Sequence, residues 1–330
     1  MVKKDMYYPS ADGKTKIHAI TWEPDGEPKA IVQILHGMCE YIGRYDDFAR
    51  FLVENGYVVC GEDHLGHGES VISEEYRGYF GDDGNAYVIS DIHELRTIVQ
   101  EEHPGLPYLM LGHSMGSFLL RQYIVEEEGA YSKNLAGVVV MGTGWNSEFS
   151  LNIGRFVAKL SGTDKLRARS RTIEVMSFGN YLKGIENPRT MSDWLTKEAD
   201  IIDAYKSTPW CNFHFTPNAF YHMFSGMIKA NDTKLMKNLP EGLPILITSG
   251  ADDPVGKWGE GVRKTYMEYL ENSPCKVDLR LYIDDRHEIL NETDRADVYK
   301  DLKTFFDNCL ENYQETYGVL PADEFGSGRD

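Results

Sequence analysis

An α/β fold, with a parallel sheet covered by helices on both faces, is the class this sequence predicts. Three observations carry it. Short apolar runs of strand length alternate with segments whose apolar residues recur every three or four positions, and such alternation marks successive strand–helix units. One junction, Gly112-His113-Ser114-Met115-Gly116, lies between an apolar run at Leu106–Leu111 and another at Phe118–Ile124, the pattern of a strand, a sharp turn and a helix. From Thr143 to about Asn231 the rhythm breaks, so that stretch stands apart from the repeat.

Taken in order, Lys16 to Trp22 reads as an early strand of an antiparallel hairpin, and Ala30 to Leu35 as a buried strand. Tyr45 to Asn55 reads as a helix with Phe48, Phe51 and Leu52 on one face, stopped by Gly56. Tyr57 to Gly61 is the next strand. Asp91 to Glu102 reads as a helix with Ile92, Leu95, Ile98 and Val99 aligned, ended before Pro104. Leu135 to Met141 is the sixth strand. In the stretch that follows, Phe149, Leu151, Ile153, Phe156, Val157 and Leu160 form an amphipathic pattern. Thr216-Pro217 is a helix start, after which Phe220, Met223, Phe224, Met227 and Ile228 make one wide apolar stripe. Leu243 to Ser249 is a buried strand, and Lys276 to Tyr282 alternates polar and apolar as a strand does.

The turn at Ser114 carries chemistry. Small residues around a serine at a strand-to-helix turn allow a strained backbone that lifts the hydroxyl clear of the sheet. A serine hydroxyl is a poor nucleophile and needs a base to take its proton. Imidazole suits that task, and a buried acid fixes its tautomer. In hydrolases of this kind the chain order is serine, acid, histidine. His287 is the only histidine after His222, which makes it the candidate base. Asp252 and Asp253 follow the strand ending at Ser249. Asp253 is favoured because Pro254 restricts its backbone, with Asp252 as the alternative. On the oxyanion side, His36-Gly37-Met38 follows the strand Ala30–Leu35. The N–H groups of Met38 and Met115 are the candidate donors, and His36 reads as a buried, hydrogen-bonded residue that shapes the loop.

These segments together resemble the monoacylglycerol lipase and lysophospholipase-like family of the α/β-hydrolase superfamily. The resemblance lies in His36-Gly37-Met38-Cys39-Glu40-Tyr41-Ile42-Gly43-Arg44-Tyr45, Asp63-His64-Leu65-Gly66-His67-Gly68-Glu69-Ser70 and Gly112-His113-Ser114-Met115-Gly116-Ser117. It continues in Ser249-Gly250-Ala251-Asp252-Asp253-Pro254-Val255-Gly256 and Arg286-His287-Glu288-Ile289-Leu290-Asn291-Glu292. It spans about residues 15 to 310, and Tyr41 departs from it where the family has His. It selects Asp253 independently. It implies Ser114 as nucleophile, His287 as base, Asp253 as orienter, and Met38 and Met115 as oxyanion donors. The implied fold is a mostly parallel eight-stranded sheet flanked by helices, with a helical cap inserted after the sixth strand. On that reading residues 1–142 and 232–330 form the core and 143–231 the cap, and Phe220, Met223, Phe224 and Met227 are candidates to wall an acyl pocket. No metal or organic cofactor is implied.

The bulk properties set limits. A net charge of −18 over 330 residues disfavours nucleic acid and strongly anionic membranes as partners, and no basic patch, heptad or repeat stands out. No segment has the length of a membrane span or a signal-peptide core, so integral membrane association is not expected and a cytoplasmic location is. Cys39, Cys60, Cys211, Cys275 and Cys309 lack metal-ligand spacing and read as free thiols. His214 and His222 read as structural residues. The expected activity is hydrolysis of a monoacylglycerol- or lysophospholipid-like ester through an acyl-enzyme. A short-chain carboxylesterase is the alternative, and a proline iminopeptidase-type peptidase, using Glu198 or Asp200 to hold a substrate amine, is a more distant one. A lipid or small-molecule ester is the expected partner; the sequence carries no signal for an oligomeric state.

Overall fold

The computed structural model describes residues 1–166, 168–211 and 213–317. Strands β1 (Val2–Pro9), β2 (Lys16–Glu23), β3 (Ala30–Leu35), β4 (Tyr57–Glu62), β5 (Tyr108–His113), β6 (Leu135–Met141), β7 (Pro244–Gly250) and β8 (Lys276–Tyr282) form one eight-stranded sheet. Their order is β1-β2-β4-β3-β5-β6-β7-β8. β1 and β2 join antiparallel, as do β2 and β4, and every other pair is parallel. The edge strand β1 carries Lys3, Lys4 and Asp5, charges of the kind that blunt an open edge.

Strands β3 to β6 are buried along their whole length, and parallel strands covered on both faces read as unbroken apolar runs. Alternate residues feed two cores. Ile31, Val58, Met110, Val138, Val140, Ile245 and Ile247 point to one face, packed by α2 (Gly84–Glu102), α3 (Met115–Tyr123) and α9 (Glu260–Asn272). Val32, Ile34, Val59, Leu109, Leu111, Val139 and Leu246 point to the other, beneath α1 (Asp46–Glu54) and α10 (Arg295–Tyr317). Each such side chain contributes about 1.5–3 kcal/mol by leaving water.

Helix α2 starts at Gly84, seven residues before the expected Asp91. Asp83 stands at the N-cap but makes no side-chain cap bond there, and the first turn opens on the weak helix formers Gly84 and Asn85.

Between β6 and β7 lie α4 (Glu148–Leu160), α5 (Arg171–Phe178), α6 (Ala199–Ser207), α7 (Pro217–Ala230) and the single turn α8 (Thr233–Met236). Ser147 caps α4 by accepting from the Ser150 N–H, and Thr216 caps α7 by accepting from Ala219. α7 packs along α4 on one side and along α3 and α2 on the other. Arg121 of α3 holds both ends of the stretch, donating to the Gly144 carbonyl (3.1 Å) and to Asn231 Oδ1 (2.5 Å). The apolar residues of α4 divide between two faces. Leu151 is buried with the small residues Gly154 and Ala158, whereas Phe149, Ile153, Phe156 and Leu160 face outward. Among the described residues no helix is long and apolar enough to cross a membrane.

Candidate active site

The carboxyl ends of the parallel strands carry the candidate residues to one edge of the sheet, where such sheets bind ligands. Ser114 follows β5, Gly37 and Met38 follow β3, Asp253 follows β7 and His287 follows β8. Ser114 sits at φ +54°, ψ −120°, a backbone that costs of order 1–3 kcal/mol for a residue with a side chain. The surroundings hold it there: its N–H donates to the Met141 carbonyl at 3.0 Å, and its carbonyl accepts from the Ser117 hydroxyl at 2.6 Å and from Ser117 N–H at 2.9 Å. Gly116 has to be glycine, because a Cβ there would collide with the Leu35 carbonyl. A Cβ on Gly37 would stand 3.0 Å from Ser114 Cβ, so the loop after β3 lies directly against the serine.

His287 Nδ1 donates to Asp253 Oδ2 at 2.9 Å. The same oxygen accepts from the Ser249 hydroxyl (2.6 Å), and Oδ1 accepts from the Val255 N–H (2.8 Å). Asp253 is fully buried. Burial alone would raise its pKa, but His287, Ser249 and Val255 together hold it below the ordinary carboxylate value. Asp252 is exposed and donates its N–H to the Asp285 carbonyl; the structure brings Asp253, not its neighbour, to the imidazole. Trp194 lies against the other side of His287, ring centroids 5.0 Å apart. Its carbonyl accepts from the His287 N–H (3.4 Å), while that of Leu195 accepts from Glu288 (2.7 Å).

Beneath these residues runs a buried charged network to which the sequence reading assigned no role. Arg44 makes a two-pronged contact with Glu288, both bonds 2.8 Å, and a third bond to Glu40 Oε2 at 2.5 Å. Glu40 Oε1 accepts from the Gly37 N–H (2.6 Å) and the Tyr45 hydroxyl (2.8 Å). His113 contacts Glu40 and donates to the His287 carbonyl at 3.3 Å. Burial would push the Glu40 carboxyl up, but Arg44 and His113 hold it well below its usual range. The network thus ties the loop after β3, the elbow and the loop after β8 into one piece. Its signal in the sequence is only that Glu40, Arg44 and Glu288 fall inside motif segments.

Asp63 anchors the other end of the β3 loop, accepting from the Ile42 N–H at 2.8 Å and from His18 Nδ1 at 2.8 Å. Burial alone would lower the His18 pKa, but Asp63 and Asp5 flank its ring and lift it from 6.5 to about 9. A folded-state pKa raised this way adds stability that is complete below about pH 6.5 and is lost as pH rises through about 9. His18→Gln is therefore expected to cost about 2 kcal/mol near neutrality, with the deficit closing in alkaline buffer. Urea unfolding of both proteins at neutral and at alkaline pH measures it, and a deficit that does not change with pH refutes the account.

The remaining candidates are placed as follows. Met115 is buried at the start of α3, and Met38 is half-buried beside Gly37. His36 is fully buried, contacts the Gly37 carbonyl and accepts from His64 N–H; burial lowers its pKa to about 4. The Cys39 thiol donates to the Phe213 carbonyl, and burial pushes its pKa well above the usual range. Phe220 and Met227 are buried in α7, with Met223 and Phe224 half-buried. Met227 clusters with Phe118 and Leu151, against which Met223, Phe224 and Val255 pack, so the stripe lies between the serine helix and the Asp253 loop. His222 accepts from the Asn85 N–H, and His214 pairs with Glu174. Among the described residues no group of three His, Cys, Asp or Glu is placed to hold a metal ion.

A mostly parallel eight-stranded sheet, a strained serine on its central elbow and a His–Asp pair on later strands define an α/β-hydrolase. Comparison with known proteins agrees. Residues 26–294 match the family model described as serine aminopeptidase, S33. A monoglyceride lipase homolog of monkeypox virus is 26% identical, over 88% of this chain and 94% of its own length. A monoacylglycerol lipase of Mycolicibacterium smegmatis is 24% identical, over 89% and 93%. The crystal structure of a thermostable carboxyl esterase from Bacillus coagulans superposes with TM-score 0.84 at 29% identity, covering 94% of this chain and 99% of that one. The chain belongs to the serine aminopeptidase S33 family of α/β-hydrolases, in its monoacylglycerol lipase-like branch.

Proposed function

We propose that this carboxylic ester hydrolase cleaves monoacylglycerol- or lysophospholipid-like esters through an acyl-enzyme. Ser114 is the nucleophile, His287 the base and Asp253 its orienter. The observation that carries the reading is the buried Asp253–His287 hydrogen bond on the same sheet edge as a serine held at positive φ. Asp253, acceptor-only when ionised, requires a hydrogen on Nδ1 and so leaves Nε2 free to take the Ser114 proton. Attack on the ester carbonyl places negative charge on its oxygen, which the N–H groups of Met38 and Met115 stabilise. His287 then protonates the leaving alcohol, and water releases the acid by the reverse sequence.

Residues 143–231 act as a cap over this edge in our reading. Phe220, stacked on Phe224, and Met223, Phe224 and Met227, with Phe118 and Val255 beside these three, wall the acyl chain, and flexible Met side chains suit chains of different length. The names of the viral and mycobacterial relatives support a glyceride substrate. Five unpaired thiols support a reducing, cytoplasmic compartment.

The test is an ester series from acetyl to palmitoyl, with monoacylglycerol, lysophosphatidylcholine and an aminoacyl amide. kcat/KM is expected to rise at least about tenfold from acetyl to a medium chain, since each buried methylene adds about 0.8 kcal/mol at most. Activity confined to acetyl esters would assign the α7 stripe to packing alone, and cleavage of the amide alone would overturn the ester reading.

A further inference from the structure

Strand β8 closes one side of the sheet, and among the described residues no strand lies beyond it. Strands β3 to β6 are buried throughout, but β8 alternates between exposed and half-buried. Its backbone has a defined direction. Lys276 donates its N–H inward to the Leu243 carbonyl (3.0 Å), and the Tyr282 carbonyl accepts inward from the Ala251 N–H (2.7 Å). Successive residues of a strand turn their backbone groups to opposite edges, so the N–H and C=O groups of Val277, Leu279 and Leu281 face out of the sheet. A free row of this kind is a template for another strand.

The side chains follow the same rhythm. Val277, Leu279 and Leu281 lie half-buried on the α9 side. Met267 and Leu270 of α9 are 41% and 49% exposed, and Ile283, just past the strand, is 80% exposed. Lys276, Asp278 and Arg280 stand exposed on the opposite face. Arg280 pairs with Asp301 of α10 yet keeps its side chain 48% exposed. In a chain of net charge −18, this strand carries more cations than acids.

We propose that β8 is a homodimer interface, on which a second copy lays its own β8 antiparallel and joins the two sheets into one. Full overlap of the seven-residue strand sets Leu279 opposite itself, the self-matching contact that a two-fold axis requires. Leu279 then exchanges both backbone bonds with its copy, and Val277 does so with Leu281, which uses the outward groups. Between them fall the closer, non-hydrogen-bonded pairs, where Asp278 of each copy meets Arg280 of the other. Backbone direction, strand length and charge therefore agree on one register. The other edge offers no such match. Pairing β1 with itself about Asp5 sets that acid against its copy, and pairing about Met6 leaves Asp5, Lys3 and Lys4 facing Tyr7, Pro9 and Tyr8. Two such acidic chains repel at long range, so sign matching at the contact decides which edge can close. The arrangement leaves the two serine-bearing ends of the sheet at opposite ends of the dimer. It stands apart from the ester reading, because association needs no chemistry.

The experiment is sedimentation velocity of the full chain over a concentration series, with hydrogen exchange on the same samples. The parent is expected to reach twice the chain mass at micromolar concentration. Its segment 277–281 should exchange at least about tenfold more slowly as dimer than as monomer. Asp278→Arg and Arg280→Asp each set like charges opposite one another at both symmetry-related contacts, and each is expected to weaken the dimer at least about tenfold. Mixing the two variants, or placing both changes in one chain, returns opposite signs to every contact and is expected to restore the dimer. Circular dichroism shows whether each variant folds, and exchange on the parent needs no substitution. A parent that stays monomeric, a dimer whose segment 277–281 exchanges as fast as the monomer's, single reversals without effect, or a loss that neither the mixture nor the double change repairs would each overturn it.

Discussion

Ser114→Ala is expected to lower kcat/KM toward any hydrolysed ester by about 10⁴-fold or more, with the fold unchanged. The size follows from removing the atom that attacks: what remains is oxyanion stabilisation and binding, which alone give only a small part of the rate enhancement. The stability expectation is as specific. The bonds that hold the elbow run through the Ser114 backbone, to Met141 and Ser117, and Ala keeps all of them. Alanine is as strained as serine at φ +54°, so the melting temperature should move little. Initial rates, circular dichroism and labelling by a fluorophosphonate settle it together. A folded Ser114→Ala protein that still hydrolyses the ester and still takes the label would remove Ser114 from the mechanism.

Asp253→Asn should cost about 10⁴-fold in kcat, while Asp252→Asn should stay within about twofold of the parent. The two side chains are neighbours in sequence, but Asp253 is buried and receives His287, Ser249 and Val255, whereas Asp252 is exposed. An amide at 253 can turn its NH₂ toward Nδ1, which stabilises the wrong imidazole tautomer and blocks proton uptake from Ser114. Steady-state kinetics on both variants, with thermal melts to show that each folds, make the comparison. Equal losses at 252 and 253 would refute the assignment.

Much of this fold was legible because strands β3 to β6 are buried on both faces and therefore read as unbroken apolar runs. The elbow was legible because its turn tolerates so few side chains: a Cβ at 116 has no room beneath the Leu35 carbonyl. The start of α2 was not, since its first turn opens on the weak helix formers Gly84 and Asn85 and the apolar pattern alone does not mark an end. The spacing marked α4 as amphipathic without saying which side is buried: Leu151, Gly154 and Ala158 face in, while most of its large residues face out. Residue spacing alone left Asp252 and Asp253 both open; what separates them in the structure is which carboxylate turns inward. The Glu40–Arg44–Glu288 network lay beyond local reading altogether, because Arg44 and Glu288 are 244 residues apart.

That separation has a consequence for how the protein is made. A ribosome releases the loop after β3 early, but the carboxylate that completes its buried guanidinium, and the imidazole beside it, emerge only with residues 287 and 288. Until then Arg44 lacks its two-pronged partner, and Ser114 lacks the imidazole proposed as its base. On that proposal the nascent chain stays chemically silent through most of its synthesis, and competence arrives late, when the segments around residues 44 and 288 meet.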